Sequence, residues 1–168
     1  MLLREIDKTR YRNHLKVIFA GIIAALIVIS LSTSTLFIYL LSTPEVEHFW
    51  YNLAGVGAAA VIIVFALLKL RLHPFMAEVV YVWDLKQQLN RIYRKQRKIE
   101  AVVENNDHDA MIIINFLYRG SKQLYELDDN TITMEGLDSR ISILDKRMEA
   151  EGLSLSTDLY ETAMLDRF

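Results

Sequence analysis

Two long stretches without a charged side chain dominate the hydropathy pattern of the first half of the chain. Residues 17–41 form the first, with 25 uncharged positions, and residues 49–68 form the second, with 20. A helix needs about 20 apolar residues to cross the ~30 Å hydrocarbon core of a bilayer, and shorter apolar runs are the rule in soluble cores. The pattern therefore predicts two transmembrane helices, at about residues 17–41 and 49–70.

Only seven residues, 42–48, separate the two stretches, enough for a turn beginning at Pro44 but not for a domain. This connection contains no Lys or Arg, whereas both outer flanks are basic. The flanking basic residues are Arg4, Lys8, Arg10, Arg12, Lys16, Lys69 and Arg71. By the positive-inside rule we expect a transmembrane helical hairpin over residues 17–72, a basic cytoplasmic segment over residues 1–16, and both termini in the cytoplasm.

Hydroxyl side chains supply most of the polar content of the predicted spans. They are Ser30, Ser32, Thr33, Ser34 and Thr35. Neither span contains Asp, Glu, Lys, Arg or His, the residue types that proton relays and ion pathways usually need. We expect the hydroxyls to donate to carbonyls of their own helix, with a bond to a partner helix as the alternative.

Small residues four positions apart indicate where the spans come close to a neighbouring helix. The pairs are Gly21 with Ala25 in the first span, and Ala54 with Ala58 and Gly55 with Ala59 in the second. Packing of the two spans on each other is favoured over packing on a separate partner.

A heptad pattern follows the second span. His73-Pro74 marks a joint, since proline ends one helix and starts another well. Apolar residues then alternate steps of three and four, with one polar position: Val82, Leu85, Leu89, Ile92, Gln96, Ile99 and Val103. This predicts one helix from Pro74 to about Glu104, roughly 45 Å long. The seam packs on later helices of the same chain, which we favour, or forms a coiled coil with a second copy.

Further helices are predicted in the last third of the chain. Asp107 is an N-cap for a helix that continues to residue 127, where Asp128-Asp129-Asn130 ends it. Another helix, capped by Thr131 or Thr133, runs to Gly152. A short helix near Ser156 completes an all-α fold: the two-span hairpin, then a cytoplasmic helical domain over residues 74–168 with about three to four helices.

Composition and charge exclude some kinds of site and distinguish the two halves of the chain. The chain has 168 residues, a net charge of −2 and no cysteine, so disulfides and cysteine-based zinc sites are excluded. Residues 1–99 carry a net charge of +7 and residues 100–168 a net charge of −9. The basic half is therefore the half that carries the predicted spans, which suits an anionic cytoplasmic leaflet.

Two surfaces are candidates for interaction. The first is the basic cluster Arg91, Arg94, Lys95, Arg97 and Lys98. A solvated face, or a contact with the acidic C-terminal half, is favoured. Nucleic-acid binding is disfavoured because the acidic remainder would repel phosphates, and lipid binding because an upright helix would hold the cluster about 25 Å from the membrane, beyond the ~8 Å Debye length. The second is an apolar surface formed by Phe75, Val79 and Trp83, which we expect to rest on the bilayer or on a partner protein.

No catalytic arrangement is recognisable. The chain has no Walker A loop, dinucleotide-binding fingerprint, nucleophile elbow or HExxH motif, and its four histidines are scattered without ligand spacing. We therefore predict a non-enzymatic protein with no catalytic residue, no cofactor and no metal. Divalent-ion chemistry at Glu126, Asp128 and Asp129 is the remaining enzymatic hypothesis.

Four blocks of the sequence resemble a known family. They are IDKTRYR at 6–12, HPFMAEVVYVW at 73–83, LKQQLNRIYRK at 85–95 and QLYELDDNTIT at 123–133. The chain is identified by them as a member of an uncharacterised family of bacterial inner-membrane proteins, the domain-of-unknown-function family 3087. The resemblance implies a bacterial inner-membrane location and this architecture, and assigns no activity or site residue.

These observations lead to two hypotheses of function. The first is a membrane-anchored interaction or assembly module that binds another protein or a second copy, as an accessory subunit of a membrane complex or a homo-oligomer. The alternative is a small transport or channel component whose pore is lined by residues 30–35. Lipid or nucleic-acid binding through the basic cluster between Arg91 and Lys98 is a weaker option.

Overall fold

The computed structural model describes residues 1–43, 47–130 and 134–168. Every regular element in these residues is a helix. The chain separates into two compact units: Thr9–Val80 form the hairpin unit, and Met1–Lys8 with Tyr81–Phe168 form the helical unit. The expected all-α fold, a pair of long apolar helices followed by further helices, is confirmed.

Helices α1 (Lys8–Leu41) and α2 (Phe49–Leu70) make up most of the hairpin unit. α2 has the bounds that its sequence predicts, whereas α1 begins well before residue 17 because the basic flank continues the helix. Pro44 and its neighbours 45–46 lie outside the described residues. Both helices are long and apolar enough to cross a membrane. In the most apolar 18-residue window of each helix, the share of residues buried by the rest of the protein is 0% for α1 and 17% for α2. A core helix of a soluble protein would be mostly buried instead.

Helix α5 (His108–Leu127) is the central element of the helical unit. Residues 110–117 are all buried, and a helix that is buried all round must be covered by neighbours on several sides. α5 contacts α4, α6 and two short 3₁₀ helices. Their bounds are Gln96–Val103 for α4, Met134–Ala150 for α6, and Thr157–Leu159 and Thr162–Arg167 for the 3₁₀ helices.

Helix α3 (Ala77–Tyr93) follows a 3₁₀ turn at Pro74–Met76 and packs on α5 through Leu85 and Leu89. A Cβ added to Gly120 of α5 would lie 3.0 Å from Leu89 Cδ2, so the missing side chain lets these helices approach closely. The buried residues of the predicted seam are Val82, Leu85, Leu89, Ile92 and Ile99. The seam therefore packs within its own chain, as the sequence analysis favoured.

The prediction of one helix from Pro74 to Glu104 is wrong, because the helix is broken at residues 94 and 95. There Lys95 N donates to Ile92 O at 2.9 Å, the tighter spacing of a turn. Ile92 and Ile99, on either side of the break, are both 0% exposed. A heptad pattern predicts that both residues are buried, but two shorter helices joined by a turn can bury them as well as one straight helix can.

Local signals determine where helices of this unit end. Asp107 Oδ1 accepts a hydrogen bond from Ala110 N at 3.0 Å, which confirms the predicted N-cap of α5. Asn106, Asp129 and Gly152 follow α4, α5 and α6 with φ of 59°, 57° and 70°. This left-handed conformation closes a helix C-terminus by pairing its last carbonyls.

The C-terminal segment is less regular than its sequence predicts. In place of one short helix near Ser156 the chain forms two 3₁₀ helices, the first capped by Ser156, whose Oγ accepts from Asp158 N at 3.1 Å. The predicted caps of α6, Thr131 and Thr133, lie outside the described residues.

Candidate interaction surface

One side of α3 faces solvent along its length within the helical unit. Trp83, Gln87 and Asn90 of α3 are exposed and recur every three or four residues, opposite the buried seam, and Arg94, which directly follows the last residue of α3, is exposed as well. We call these four residues the exposed α3 face. Trp83 is 63% exposed, although a side chain of this size is usually well covered in a folded protein. The exposed α3 face therefore combines an uncovered aromatic ring with a cation at its far end.

The basic cluster is divided by the break between α3 and α4. Lys95 Nζ donates to Leu165 O at 2.7 Å, and Lys98 Nζ donates to Phe168 O at 3.2 Å. The two lysines therefore hold the C-terminal segment, which agrees with the expected contact with the C-terminal half, although they bind carbonyl groups and not acidic side chains. The three arginines Arg91, Arg94 and Arg97 remain exposed. In the described part of the chain, no ion pair involves them.

The C-terminal segment is fixed at several points beside this break. Tyr160 is 1% exposed and its ring stacks on Phe116 of α5, with centroids 4.2 Å apart. The Gln88 side-chain amide donates to the Tyr160 hydroxyl and to Thr162 Oγ1, the latter at 3.0 Å. The segment is thus anchored to α3 and α5, and the sequence analysis missed it. The signal available was weak: Gln88 is a polar residue beside the heptad seam, and only the structure shows that it is buried.

Ion pairs complete the attachment of the chain end. Arg167 contacts Asp107 at 2.6 Å and Asp109 at 3.1 Å, both at the start of α5. Acidic side chains at a helix N-terminus also interact favourably with the helix dipole, so this contact adds a cation to an arrangement that is already favourable. The C-terminal segment is therefore bound both to the α3–α4 break, through Lys95 and Lys98, and to the start of α5, through Arg167.

Burial raises the pKa of the Tyr160 phenol above its ordinary value of 10.0, and burial likewise raises the pKa of Tyr81 and Tyr118. The folded state then binds the phenolic protons more tightly than the unfolded state. The contribution of these phenols to the free energy of unfolding is therefore fully present below about pH 10, and it is lost as the pH rises through the folded-state pKa values.

We predict that Tyr160→Phe makes this alkaline loss of stability shallower. The substitution removes one of the three phenols whose pKa is raised, and Gln88 keeps Thr162 as a hydrogen-bond partner. The measurement is the free energy of unfolding between pH 8 and pH 12 in detergent micelles, with each protein referred to its own value at pH 8. Equal slopes for the two proteins would contradict the prediction.

The apolar surface predicted from Phe75, Val79 and Trp83 does not form one exposed patch. Phe75 is half-buried and packs on the His14 ring, with centroids 4.1 Å apart, and Val79 is also half-buried. Only Trp83 is exposed. Helical spacing identified three apolar positions, but the ring of His14, from the distant helix α1, covers the first of them.

The hairpin helices meet at Gly55 and Ala59, both buried. A Cβ added to Gly55 would lie 2.7 Å from Ser34 N and 2.9 Å from Ser34 Cα, so only glycine allows this approach. Thr33 Oγ1 lies 2.9 Å from Gly55 O across the pair and 2.7 Å from Ile29 O in its own helix, so its one hydroxyl proton is shared between these two acceptors. Both alternatives for the hydroxyls therefore occur together.

Gly21 and Ala25 behave differently from Gly55 and Ala59. A Cβ added to Gly21 would meet no atom within 4 Å, and both residues line an open cavity between α1 and α2. Of these two pairs of small residues, only Gly55 and Ala59 form a helix contact within the described part of the chain.

Carboxylates at the end of α5 are engaged with lysines. Lys86 Nζ lies 3.3 Å from Asp128 Oδ2, and Lys8 Nζ pairs with Asp129. Within the described ranges, no three His, Asp or Glu side chains are arranged to hold a metal ion. A divalent ion at Glu126, Asp128 and Asp129 would therefore have to displace two ammonium groups.

Comparison with known proteins gives one positive result. The family described as "Protein of unknown function (DUF3087)" matches residues 1–165, nearly the whole chain. No curated protein and no solved structure matches this chain.

Proposed function

The chain belongs to the DUF3087 family, and we propose that it is a membrane-anchored, non-enzymatic interaction module that binds another protein through the exposed α3 face. In this proposal α1 and α2 cross the bacterial inner membrane with both termini in the cytoplasm. Two apolar helices with largely unburied surfaces, and basic residues outside their connection, support that placement.

The exposed Trp83 is the observation that carries the proposal. Tryptophan and arginine are the residue types that contribute most often to the energetic centres of protein interfaces. Here both occur on one side of α3, with the Trp83 side chain 63% exposed. Burying such a ring against a partner removes a large apolar area from water, a gain of about 25 cal/mol per Å².

Rigidity of the surrounding backbone supports the same surface. Lys95, Lys98 and the Tyr160 ring hold the C-terminal segment against the α3–α4 break. A surface that is already ordered loses less conformational entropy when it binds. The three exposed arginines favour a partner that offers carboxylates beside an apolar pocket, because an ion pair made as the pocket closes on Trp83 also fixes the orientation of the complex.

The channel alternative has less support. It needs the hydroxyls of residues 30–35 to face a pore, but Thr33 and Ser34 donate to Gly55 O and Asn52 O of α2, and Ser32 Oγ donates to Val28 O at 2.8 Å. Hydroxyls already bonded inside one hairpin offer little to a permeating ion.

A photo-crosslinking experiment tests the proposal. A photoreactive phenylalanine analogue replaces Gln87, an exposed residue one turn from Trp83, in the full-length protein in cells. In a matched control it replaces Ile143, which is 66% exposed on α6. We expect a discrete adduct from position 87 and none from position 143. The mass of the adduct distinguishes another protein from a second copy. Equal labelling from both positions, or none from position 87, would refute the proposal.

We also predict that Trp83→Ala weakens the purified complex by about 2 kcal/mol or more, roughly a thirty-fold loss of affinity, as expected for a residue at the centre of an interface. Ile143→Ala, which truncates a side chain of similar exposure, should leave the affinity within a factor of about two. Titration of the variants against the partner identified by crosslinking gives both values. An unchanged affinity for Trp83→Ala would place the interface elsewhere.

A further inference from the structure

The two hairpin helices are in contact near their connection and apart at the other end. At Gly55 they are close enough that an added Cβ would lie 2.7 Å from Ser34 N. At Gly21, by contrast, an added Cβ would meet nothing within 4 Å. A cavity of about 360 Å³ occupies the gap.

The lining of this cavity is almost wholly apolar. Ile18, Gly21, Ile22 and Ala25 of α1 present one helix face to it, because they are spaced by three or four residues. Ile63 and Leu67 of α2 lie opposite. Apolar cavities do not hold water, and an empty one forfeits the dispersion contacts of its walls. An open apolar gap between two membrane helices is therefore expected to be filled by an apolar group from outside the chain.

The net charge at one end of the cavity indicates which polar group is attached to the apolar group inside it. The cavity ends at His73, Phe75 and Met76, in the part of the hairpin unit where the helices meet the predicted cytoplasmic surface. Residues 9–16 and 69–80 around this end carry five Lys or Arg and one acidic residue. That acidic residue, Glu78, is paired with Arg10 at 2.9 Å. The two segments together have a net charge of +4 (five minus one), and a net positive charge favours an anionic phosphate over a cationic or neutral headgroup.

We propose that the cavity between α1 and α2 binds one acyl chain of an anionic phospholipid, whose phosphate lies among the basic residues at the His73 end. The inference rests on the membrane placement in the proposed function, but not on a protein partner. Gly21 and Ala25 acquire a role here that helix packing does not give them: their small side chains leave the space that the acyl chain fills.

Charge favours an acyl chain over a helix from a second copy. A second copy in the same orientation would bring its own five Lys or Arg to the same end of the hairpin, where like charges repel. A hydrocarbon chain is uncharged and bends to follow the gap.

The test uses full-length protein in vesicles of phosphatidylcholine that contain a small fraction of phosphatidylglycerol with a photoactivatable acyl chain. Parallel vesicles carry the same photoactivatable chain on phosphatidylcholine. Wild type is compared with Gly21→Leu, which places a side chain in the cavity, and with the control Gly57→Leu. Gly57 is also a helix interior position at which an added Cβ meets nothing within 4 Å, but it does not line the cavity.

We expect phosphatidylglycerol to label peptides that contain residues 18–29 and 62–70 of the wild type, and to label them more strongly than phosphatidylcholine does. Gly21→Leu should reduce this labelling roughly tenfold, and Gly57→Leu should leave it unchanged. Equal labelling by both lipids, or equal labelling of wild type and Gly21→Leu, would overturn the proposal.

Two further readouts separate the possible failures. Since the chain has no cysteine, Gly21→Cys introduces the only thiol, and a disulfide-linked dimer in membranes would show that a second copy occupies the cavity and overturn the lipid proposal. Flotation of the wild type with vesicles reports membrane insertion itself. A chain that floats but is not labelled refutes lipid binding alone, whereas a chain that does not float refutes the membrane placement as well.

Discussion

Phe116→Ala is expected to lower the free energy of unfolding of the helical unit by about 3–5 kcal/mol, the usual range for removing a large buried aromatic side chain. Phe116 is 0% exposed at the centre of α5, and its ring stacks on Tyr160 with an interplanar angle of 22°. The substitution leaves a cavity that neighbouring elements cannot collapse to fill, because α4, α6 and the C-terminal segment are all fixed on α5 by other contacts.

Denaturant titration of the purified protein in mild detergent, followed by far-ultraviolet circular dichroism, measures this loss. Leu159→Ala is the control, because Leu159 belongs to the same C-terminal segment but is 42% exposed, and its truncation should lower stability by less than about 1 kcal/mol. A loss below about 1 kcal/mol for Phe116→Ala would mean that the stacked pair does not form part of a packed core.

Gly55→Val is expected to destabilise the hairpin unit by about 3 kcal/mol, at the upper end of the range for overpacking a tight contact. A Cβ at this position would lie 2.9 Å from Ser34 Cα, so backbone and not a flexible side-chain end would have to move. Separating the helices would also break the bond from Thr33 Oγ1 to Gly55 O.

Gly57→Val provides the matched control. Gly57 lies two residues further along α2, and an added Cβ there meets no atom within 4 Å, so both substitutions change helix propensity equally and only one introduces a clash. Unfolding in mixed micelles with increasing sodium dodecyl sulfate compares the two variants. Equal stability of the two would contradict the helix contact at Gly55.

Location of the two apolar helices could be predicted because the free energy of moving a side chain from water to hydrocarbon is a property of that residue alone. For the same reason α2 has the bounds that its composition indicates. The cap at Asp107 was also predictable, because it depends only on a hydrogen bond between the Asp107 side chain and the amide of a residue three positions later.

The candidate surface could be predicted only in part. The basic cluster was recognisable as a run of cations, but its division into two lysines that bind the C-terminal segment and three exposed arginines depends on residues about 70 positions further along the chain. Trp83 was identified as an apolar surface residue together with Phe75, yet only the tertiary structure distinguishes the covered ring from the exposed one.

Sequence by itself determined the helical class, the two apolar helices, the cap at Asp107 and the positions of the apolar seam, because each depends on residues within a few positions of one another. Tertiary structure alone decided the break after Tyr93, the stacking of Tyr160 on Phe116, and which pair of small residues meets a helix and which leaves a cavity. These outcomes depend on the shape that distant segments present to each other, and close packing makes that shape a joint property of the whole chain.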